Sequence, residues 1–411
     1  MDIGPSERVR ATLPRIRQLY DDFVRPREDA VAERLSNSQH YVEADGKLHS
    51  EVWEARRQIY RAAGAEGFYG LHLPEAIGGG GFTRTEMFYV EEEVYGYGLG
   101  LNPAILGWRD GPTPRLIYCN DDHRRRFADP MIRGELSSFH GVTEPQAGSD
   151  FFGLQTTARR DGDDWVLNGH KAFITNPFYA DVANVLAVTD PGQGRRSFTY
   201  FQFFVKDHLD RGFRPGHVFQ TVMDDGFTGE LFLENLRLGS GDVLGEVGQG
   251  FEIALCSINW TRITRGGMCS GWGKWLLDRT IERVQGRNVR GRPLGTRQGV
   301  QWEIADMYAD WYAARSLSLN AAAEIDAAGP WWQMPKPPEL LRLFCLVKQF
   351  NDEAFYRIAD RAVQLHGGVG MLKDNPVNRL FRIARNLRVP GGADEVMRST
   401  IAETFGLREP S

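Results

Sequence analysis

Several common signatures are missing from this chain. Only four cysteines occur among 411 residues, at positions Cys119, Cys256, Cys269 and Cys345. None forms a Cys-x-x-Cys pair, and the scatter reads as reduced, mostly buried thiols with no metal expected. No stretch of about 18 apolar residues is present, so no membrane span is expected. The first residues, Met-Asp-Ile-Gly-Pro-Ser-Glu, lack the apolar core of a signal peptide. These absences together point to the cytoplasm. There is no excess of basic residues either: the formal charge is −5 and the isoelectric point is ≈ 6.0, which argues against a general nucleic-acid binder. An anionic small ligand is not excluded, because it needs only a local basic pocket. Internal repeats and low-complexity segments are absent as well.

What is present is length enough for two or three domains with substantial cores. Ser6 to about Asn120 reads as helical. Leu13, Ile16, Leu19, Tyr20 and Phe23 recur at helical spacing, and the pattern resumes over Val52–Gly64 and Thr85–Tyr97. Between those two segments lies Leu73-Pro74-Glu-Ala-Ile-Gly78-Gly-Gly-Gly81. A phosphate loop would need a preceding strand and a following Lys-Ser/Thr, and has neither, so a chain reversal is expected. From about Ser137 to Leu238 the period falls to two. Val182–Thr189, Ser197–Val205 and Gly229–Leu238 read as strands, the second of them buried on both faces. After Gly250 the chain is helical again, in runs over Phe251–Asn288, Gln298–Ala328 and Glu339–His366, with a fourth after Gly391-Gly392. Four such runs with short links suggest an antiparallel bundle.

Two stretches stand out in the strand-rich part: Gly141-Val-Thr-Glu-Pro-Gln-Ala-Gly-Ser-Asp150 and Phe173-Ile-Thr-Asn176. Asp161-Gly162 and Asn168-Gly169 are turn signals between them, which suggests a hairpin-like region. Thr143, Ser149 and Thr175 offer hydroxyls, Gly141 and Gly148 allow close approach to the backbone, and Phe173 can stack on a flat ligand. A polar loop over a small β-domain accounts for the same residues. Trp108-Arg109-Asp110-Gly111 also has two readings, since its charges lie between apolar neighbours. Either it is a solvated loop or it is a buried charge needing a partner.

The pair Gly-Val-Thr-Glu-x-x-Ala-Gly-Ser-Asp and Asn-Gly-x-Lys-x-Phe-Ile-Thr-Asn resembles the signature of the acyl-CoA dehydrogenase family, and further motifs extend the resemblance over most of the chain. The resemblance implies an α+β fold in three parts: an N-terminal helical domain (1–136), a middle β-barrel-like domain (137–248) and a C-terminal four-helix bundle (249–411). It implies FAD, with His140, Val142, Thr143 and Ser149 lining the flavin and Phe173 and Thr175 packed along the ring. His140 departs from the aromatic residue usual at its position. Arg287-x-x-x-Gly291-x-x-Leu294 is similar to the element whose arginine meets the FAD pyrophosphate of a neighbouring subunit, although Arg290 replaces an aromatic residue there. Gln298 follows on the next helix. Gln364-x-x-Gly367-Gly368 resembles the turn that takes the adenine half. A shared FAD site implies a homodimer or, as a dimer of dimers, a homotetramer. Ser149, Asn259 and Arg262 match positions that hold the thioester and its pantetheine. Arg109 borders the acyl end of the cavity, where it would recognise a polar acyl group. The expected partners are an acyl thioester and an electron acceptor such as an electron-transfer flavoprotein or O2, with no nucleic acid.

The most informative absence emerges only against this resemblance. The family's α-proton is removed by a glutamate at one of two positions, and here those positions hold Gly391 and Thr261. Asp394 and Glu395 are close in sequence but fall at a helix start, where capping and the helix dipole account for them. Three readings follow. The first is a dehydrogenase of the acyl-CoA class with a displaced base, for which Asp110 is a candidate. The second is a relative with altered chemistry, such as elimination, flavin monooxygenation or reduction. The third is a non-catalytic partner subunit.

Overall fold

A computed structural model describes residues 4–37, 39–107, 110–334 and 336–407. Arg109 lies outside the described residues. The longer helices are α1 (Glu7–Leu19), α2 (Ser50–Ala65), α3 (Arg84–Gly96), α4 (Gly250–Ile263), α5 (Arg265–Gly286), α6 (Gln298–Ala327), α7 (Pro338–His366), α8 (Pro376–Leu387) and α9 (Asp394–Glu403). The strands are β1 (Ser138–Gly141), β2 (Thr157–Asp161), β3 (Asp164–Thr175), β4 (Val182–Val188), β5 (Phe198–Phe204), β6 (Phe213–Val218), β7 (Thr228–Leu238) and β8 (Val243–Leu244). The chain divides into two compact units, one made of Met1–His40, Thr83–Pro103 and Thr261–Ser411, the other of Tyr41–Phe82 and Ala104–Trp260.

The second unit is built on one sheet with strand order β6-β7-β3-β2-β4-β5-β8, and β1 runs parallel beside β4. Period-two alternation sends Ala183, Val185 and Ala187 of β4 and Phe201 and Phe203 of β5 into a core with Phe139, Trp165 and Leu231. The opposite face is buried as well, as the run of aromatics in β5 led one to expect. It carries polar groups there, however: Asn184 and Gln202 face each other across β4 and β5 and are joined by a 2.9 Å hydrogen bond.

One expectation needs correction. Asn168-Gly169 is not a turn. β3 runs unbroken through it, and the register against β7 slips between Leu167 and Gly169. Asn168 spans the slip by accepting the Asn235 N–H at 2.8 Å, and Asn235 takes a left-handed φ of 53°. A Cβ at Gly169 would come within 2.2 Å of Thr156 Oγ1, so the glycine is required by close packing and not by a reversal. The glycine run at 78–81 is the chain reversal expected. The Gly80 and Gly81 N–H groups donate to the Gly70 and Leu73 carbonyls, which leaves those two unavailable to a phosphate.

In the first unit α5 packs on α3, α6 and α7. The contact with α3 is unusually close because α5 carries glycines. A Cβ at Gly271 would lie 2.6 Å from the Glu92 carbonyl oxygen and 2.7 Å from the Gly96 nitrogen. The N-terminus of α3 is closed twice, by the Thr83–Glu86 capping box and by the Asp326 carboxylate, which accepts the Arg84 and Thr85 N–H groups at 2.8 Å. The proline-free run from Phe251 breaks at Thr264, whose hydroxyl donates to the Thr261 carbonyl. α8 was not anticipated, although Asn375-Pro376 marks its start: Asn375 caps the Val377 N–H and Pro376 occupies the first turn.

Candidate functional site

The two signature stretches meet in the second unit. The Ala172 N–H donates to the Thr143 carbonyl at 2.9 Å. Beneath them Lys171 Nζ reaches the Val142 carbonyl at 3.0 Å and Glu144 Oε1 at 2.7 Å, and both side chains are buried. Glu144 also accepts the Gln155 and Thr156 N–H groups. Burial works to raise the Glu144 pKa, but the Lys171 ammonium and these hydrogen bonds overcome it and hold the carboxyl at about 2. This buried pair fixes the loop 142–150 to β3. Sequence reading gave it no role, although both residues are part of the quoted motifs.

Above the pair the backbone is bent to present groups outward. A second register slip in β3, between Lys171 and Ile174, leaves Phe173 at φ 57° and 64 % exposed, against the ring of Phe219. A left-handed aromatic residue on a strand is a strained, specific placement. Val142, Thr143 and Thr175 are half-buried, and Ser149 is exposed. Gly148 has open space where a side chain would stand. An aromatic face, hydroxyls and an open glycine, held on a rigid base, suit one side of a flat heteroaromatic ring such as a flavin.

In the first unit Thr261 and Gly391 converge. A Cβ on Gly391 would lie 3.5 Å from Thr261 Oγ1, so a carboxylate from either position would enter the same space. Arg262 borders it, with Nε donating to the Gly391 carbonyl at 3.0 Å and Nη1 lying 3.7 Å from Cys345 Sγ. Burial lowers the Arg262 pKa. Asp394 opens α9 in its first turn, the place where the helix dipole favours an acid. Its buried carboxylate is held there by Lys348 at 2.9 Å and Arg388 at 2.8 Å.

Asp110, in the second unit, is likewise committed. It is 2 % exposed, pairs with Arg56 at 3.2 Å and accepts a short hydrogen bond from the Tyr60 hydroxyl. A carboxylate so neutralised is a buried structural ion pair. Asn259 is fully buried. Arg287, Gln298, Gln364, Gly367 and Gly368 are all exposed. Arg287 caps the end of α5, and Gly367 ends α7 with a φ of 66°. These two helix ends are joined by Arg283 Nη2, which donates to the His366 carbonyl at 3.4 Å.

In chain order a strand-rich middle part lies between helical parts, the sequence of parts that the comparisons with known proteins match. The models for the N-terminal, middle and C-terminal domains of acyl-CoA dehydrogenase match residues 16–135, 140–236 and 248–406. Isobutyryl-CoA dehydrogenase of Dictyostelium discoideum is 30 % identical over 365 residues, covering 87 % of this chain and 84 % of its own. A 3-(aryl)acrylate reductase of Clostridium sporogenes is 29 % identical over 397 residues, 95 % of this chain and 97 % of its own. Butyryl-CoA dehydrogenase from Megasphaera elsdenii superposes with a TM-score of 0.82 at 25 % identity, covering 99 % of this chain and 100 % of that one. The chain belongs to the acyl-CoA dehydrogenase family, whose members are FAD flavoproteins and whose fold is that of an oxidoreductase acting on CH–CH bonds. Among the described residues no helix is long and apolar enough to cross a membrane.

Proposed function

We propose that this protein is an FAD-dependent oxidoreductase working on the α,β bond of an acyl thioester, with its base displaced from the family's two positions. The observation that carries this is the platform of Phe173, Thr143 and Thr175 fixed by the buried Glu144–Lys171 pair. FAD, when bound, supplies the hydride acceptor or donor. His140, Val142, Thr143, Phe173 and Thr175 hold its ring. Arg287, Gln298, Gln364, Gly367 and Gly368, all exposed, meet the pyrophosphate and adenine of a neighbouring subunit's FAD by charge-assisted hydrogen bonds and close backbone approach. The exposed Trp302, Tyr308 and Tyr312 along α6 support a homo-oligomer. Ser149 and Arg262 hold the thioester end and Arg109 meets a polar acyl group, while Asn259, expected to join them, has none of its surface open. An electron-transfer flavoprotein or O2 takes the electrons, and the work is done in the cytoplasm.

A second reading, reduction of an α,β-unsaturated thioester, is favoured by the acrylate reductase that matches 95 % of this chain. In that direction the α-carbon takes up a proton, and by microscopic reversibility its donor is the acid form of the same displaced group, since neither Thr261 nor Gly391 carries an acid there. Anaerobic mixing of the yellow protein with butyryl- to decanoyl-CoA tests the first reading. Slow, incomplete bleaching of the flavin is expected, and rapid bleaching with turnover would show an efficient base. Return of the oxidised spectrum when reduced protein meets an aryl-substituted enoyl thioester would establish the second reading.

A further inference from the structure

Arg115 is fully buried in the second unit, and among the described residues it has no acidic counter-ion. Nε donates to Asn184 Oδ1 at 3.0 Å, Nη1 to Thr113 Oγ1 at 2.6 Å and Nη2 to Ser138 Oγ at 2.6 Å. All three acceptors are neutral. Among the described residues no carboxylate lies within ion-pair distance of it. The acidic groups that do face it are the Tyr200 phenol and the Cys119 thiol, which burial pushes upward so that both stay neutral. Burial lowers Arg115 itself only to about 10, so the guanidinium stays charged at neutral pH. An uncompensated buried cation costs several kcal/mol by ordinary accounting. Its retention calls for a ligand that brings negative charge near it. No ligand reaches Arg115 directly, because none of its surface is open.

His140 is the way out. Its Nδ1 lies 3.3 Å from Arg115 Nη1 and 3.0 Å from the Tyr200 hydroxyl. A guanidinium only donates, so Nδ1 must accept, and the ring proton is assigned to Nε2. Burial, and after it the Arg115 charge, hold the imidazole well below its ordinary pKa, so the ring is neutral. His140 as a residue is half-buried, and its Nε2 keeps some open surface. Among the described residues Nε2 has no hydrogen-bond partner. Arg115 thus fixes a neutral histidine in one tautomer with its remaining N–H turned to the accessible side, two residues before Val142 on the strand that leads into the platform.

We propose that Arg115 is a positioning residue that locks His140 as an Nε2–H donor to the electron-rich carbonyl and nitrogen edge of the flavin, so that the pair favours the negatively charged reduced ring. This rests on the flavin reading given above. The chemistry is an electrostatic bias on the cofactor through charge and a hydrogen bond, and neither residue gives up a proton. The shift in flavin midpoint potential on binding measures the ratio of affinities for the reduced and oxidised forms.

The test uses the FAD-loaded protein and the variants Arg115→Gln, Arg115→Lys and His140→Phe, with midpoint potential and flavin absorption as readouts. Arg115→Gln and His140→Phe are expected to lose about tenfold in that affinity ratio, which for a two-electron couple is about 30 mV downward. Arg115→Lys keeps a charge and a donor and should recover most of it. If the potentials of Arg115→Gln and His140→Phe match the parent while flavin stays bound, Arg115 is only a packing residue and the proposal is overturned. His140→Phe preserves a family-like side chain and so remains informative should Arg115→Gln fail to fold. If the parent protein takes up no flavin, the functional reading itself falls, a different outcome from an unchanged potential.

Discussion

The Glu144 carboxylate and Lys171 ammonium are 2.7 Å apart and both buried. Removing one charge strands the other in a poorly solvating interior. Glu144→Gln is expected to lower stability by about 3–5 kcal/mol and to loosen flavin, measured by denaturant unfolding and by flavin dialysis. The sign of its pH dependence follows from the depressed pKa. The unfolded carboxyl takes up its proton near its ordinary value of 4.5, the folded one only at about 2. Between those values the unfolded state binds more protons, so the stabilisation is complete above pH 4.5 and disappears as pH falls through 2. Glu144→Gln should therefore flatten the acid limb of the stability profile. The base positions make a second residue-scale prediction. Gly391 has a φ of 78°, so Gly391→Glu has room but adds backbone strain of about 1–2 kcal/mol. Thr261 is helical and faces the same space. Thr261→Glu should give the larger gain in acyl-CoA-dependent flavin bleaching, and no gain from either, with flavin bound, would mean that the cavity has diverged.

At the scale of elements, close approach and irregularity decide more than regular periodicity does. α5 and α3 meet where Gly271 faces the backbone of Glu92, Tyr95 and Gly96. Gly271→Ala improves helix propensity by about 1 kcal/mol, yet its methyl would meet main-chain atoms that cannot swing aside. A net loss of about 1–3 kcal/mol is expected from this overpacking, readable as a lower thermal midpoint with flavin spectra unchanged. β3 shows the same rule in a strand. The spacing Asn-Gly-x-Lys-x-Phe carries two register slips, and the second is what turns Phe173 outward. Alternation alone cannot distinguish a turn from a bulge at Asn168-Gly169, because both accept the same residue types. α8 was missed for the opposite reason: its capping signal is clear, but it is only 12 residues long, next to a 29-residue neighbour.

For the whole molecule, the exposed ends of α5 and α7, carrying Arg287 and Gly367-Gly368, are surfaces a single chain leaves open. Arg287→Ala is expected to reduce FAD affinity about tenfold or more, the order of 1.5–3 kcal/mol for a lost charge-assisted contact, without altering apoprotein stability. Sedimentation of the holoprotein as a monomer with full flavin occupancy would contradict the shared-site reading.

Taken alone, the sequence determined the family, the order of helical and strand-rich parts, the cofactor class and the lack of glutamate at two positions. Those properties reside in contiguous motifs, in periodicity and in single residue identities, all of which are local. Only the tertiary structure decided that Thr261 and Gly391 share one space, that Asp110 and Asp394 are consumed by Arg56, Lys348 and Arg388, and that Arg115 lies buried against His140 with no carboxylate beside it among the described residues. Each of those depends on which distant side chains are brought within a few ångströms of one another in a medium of low polarity. There a charge is governed by its immediate neighbours, and spacing along the chain does not reveal them.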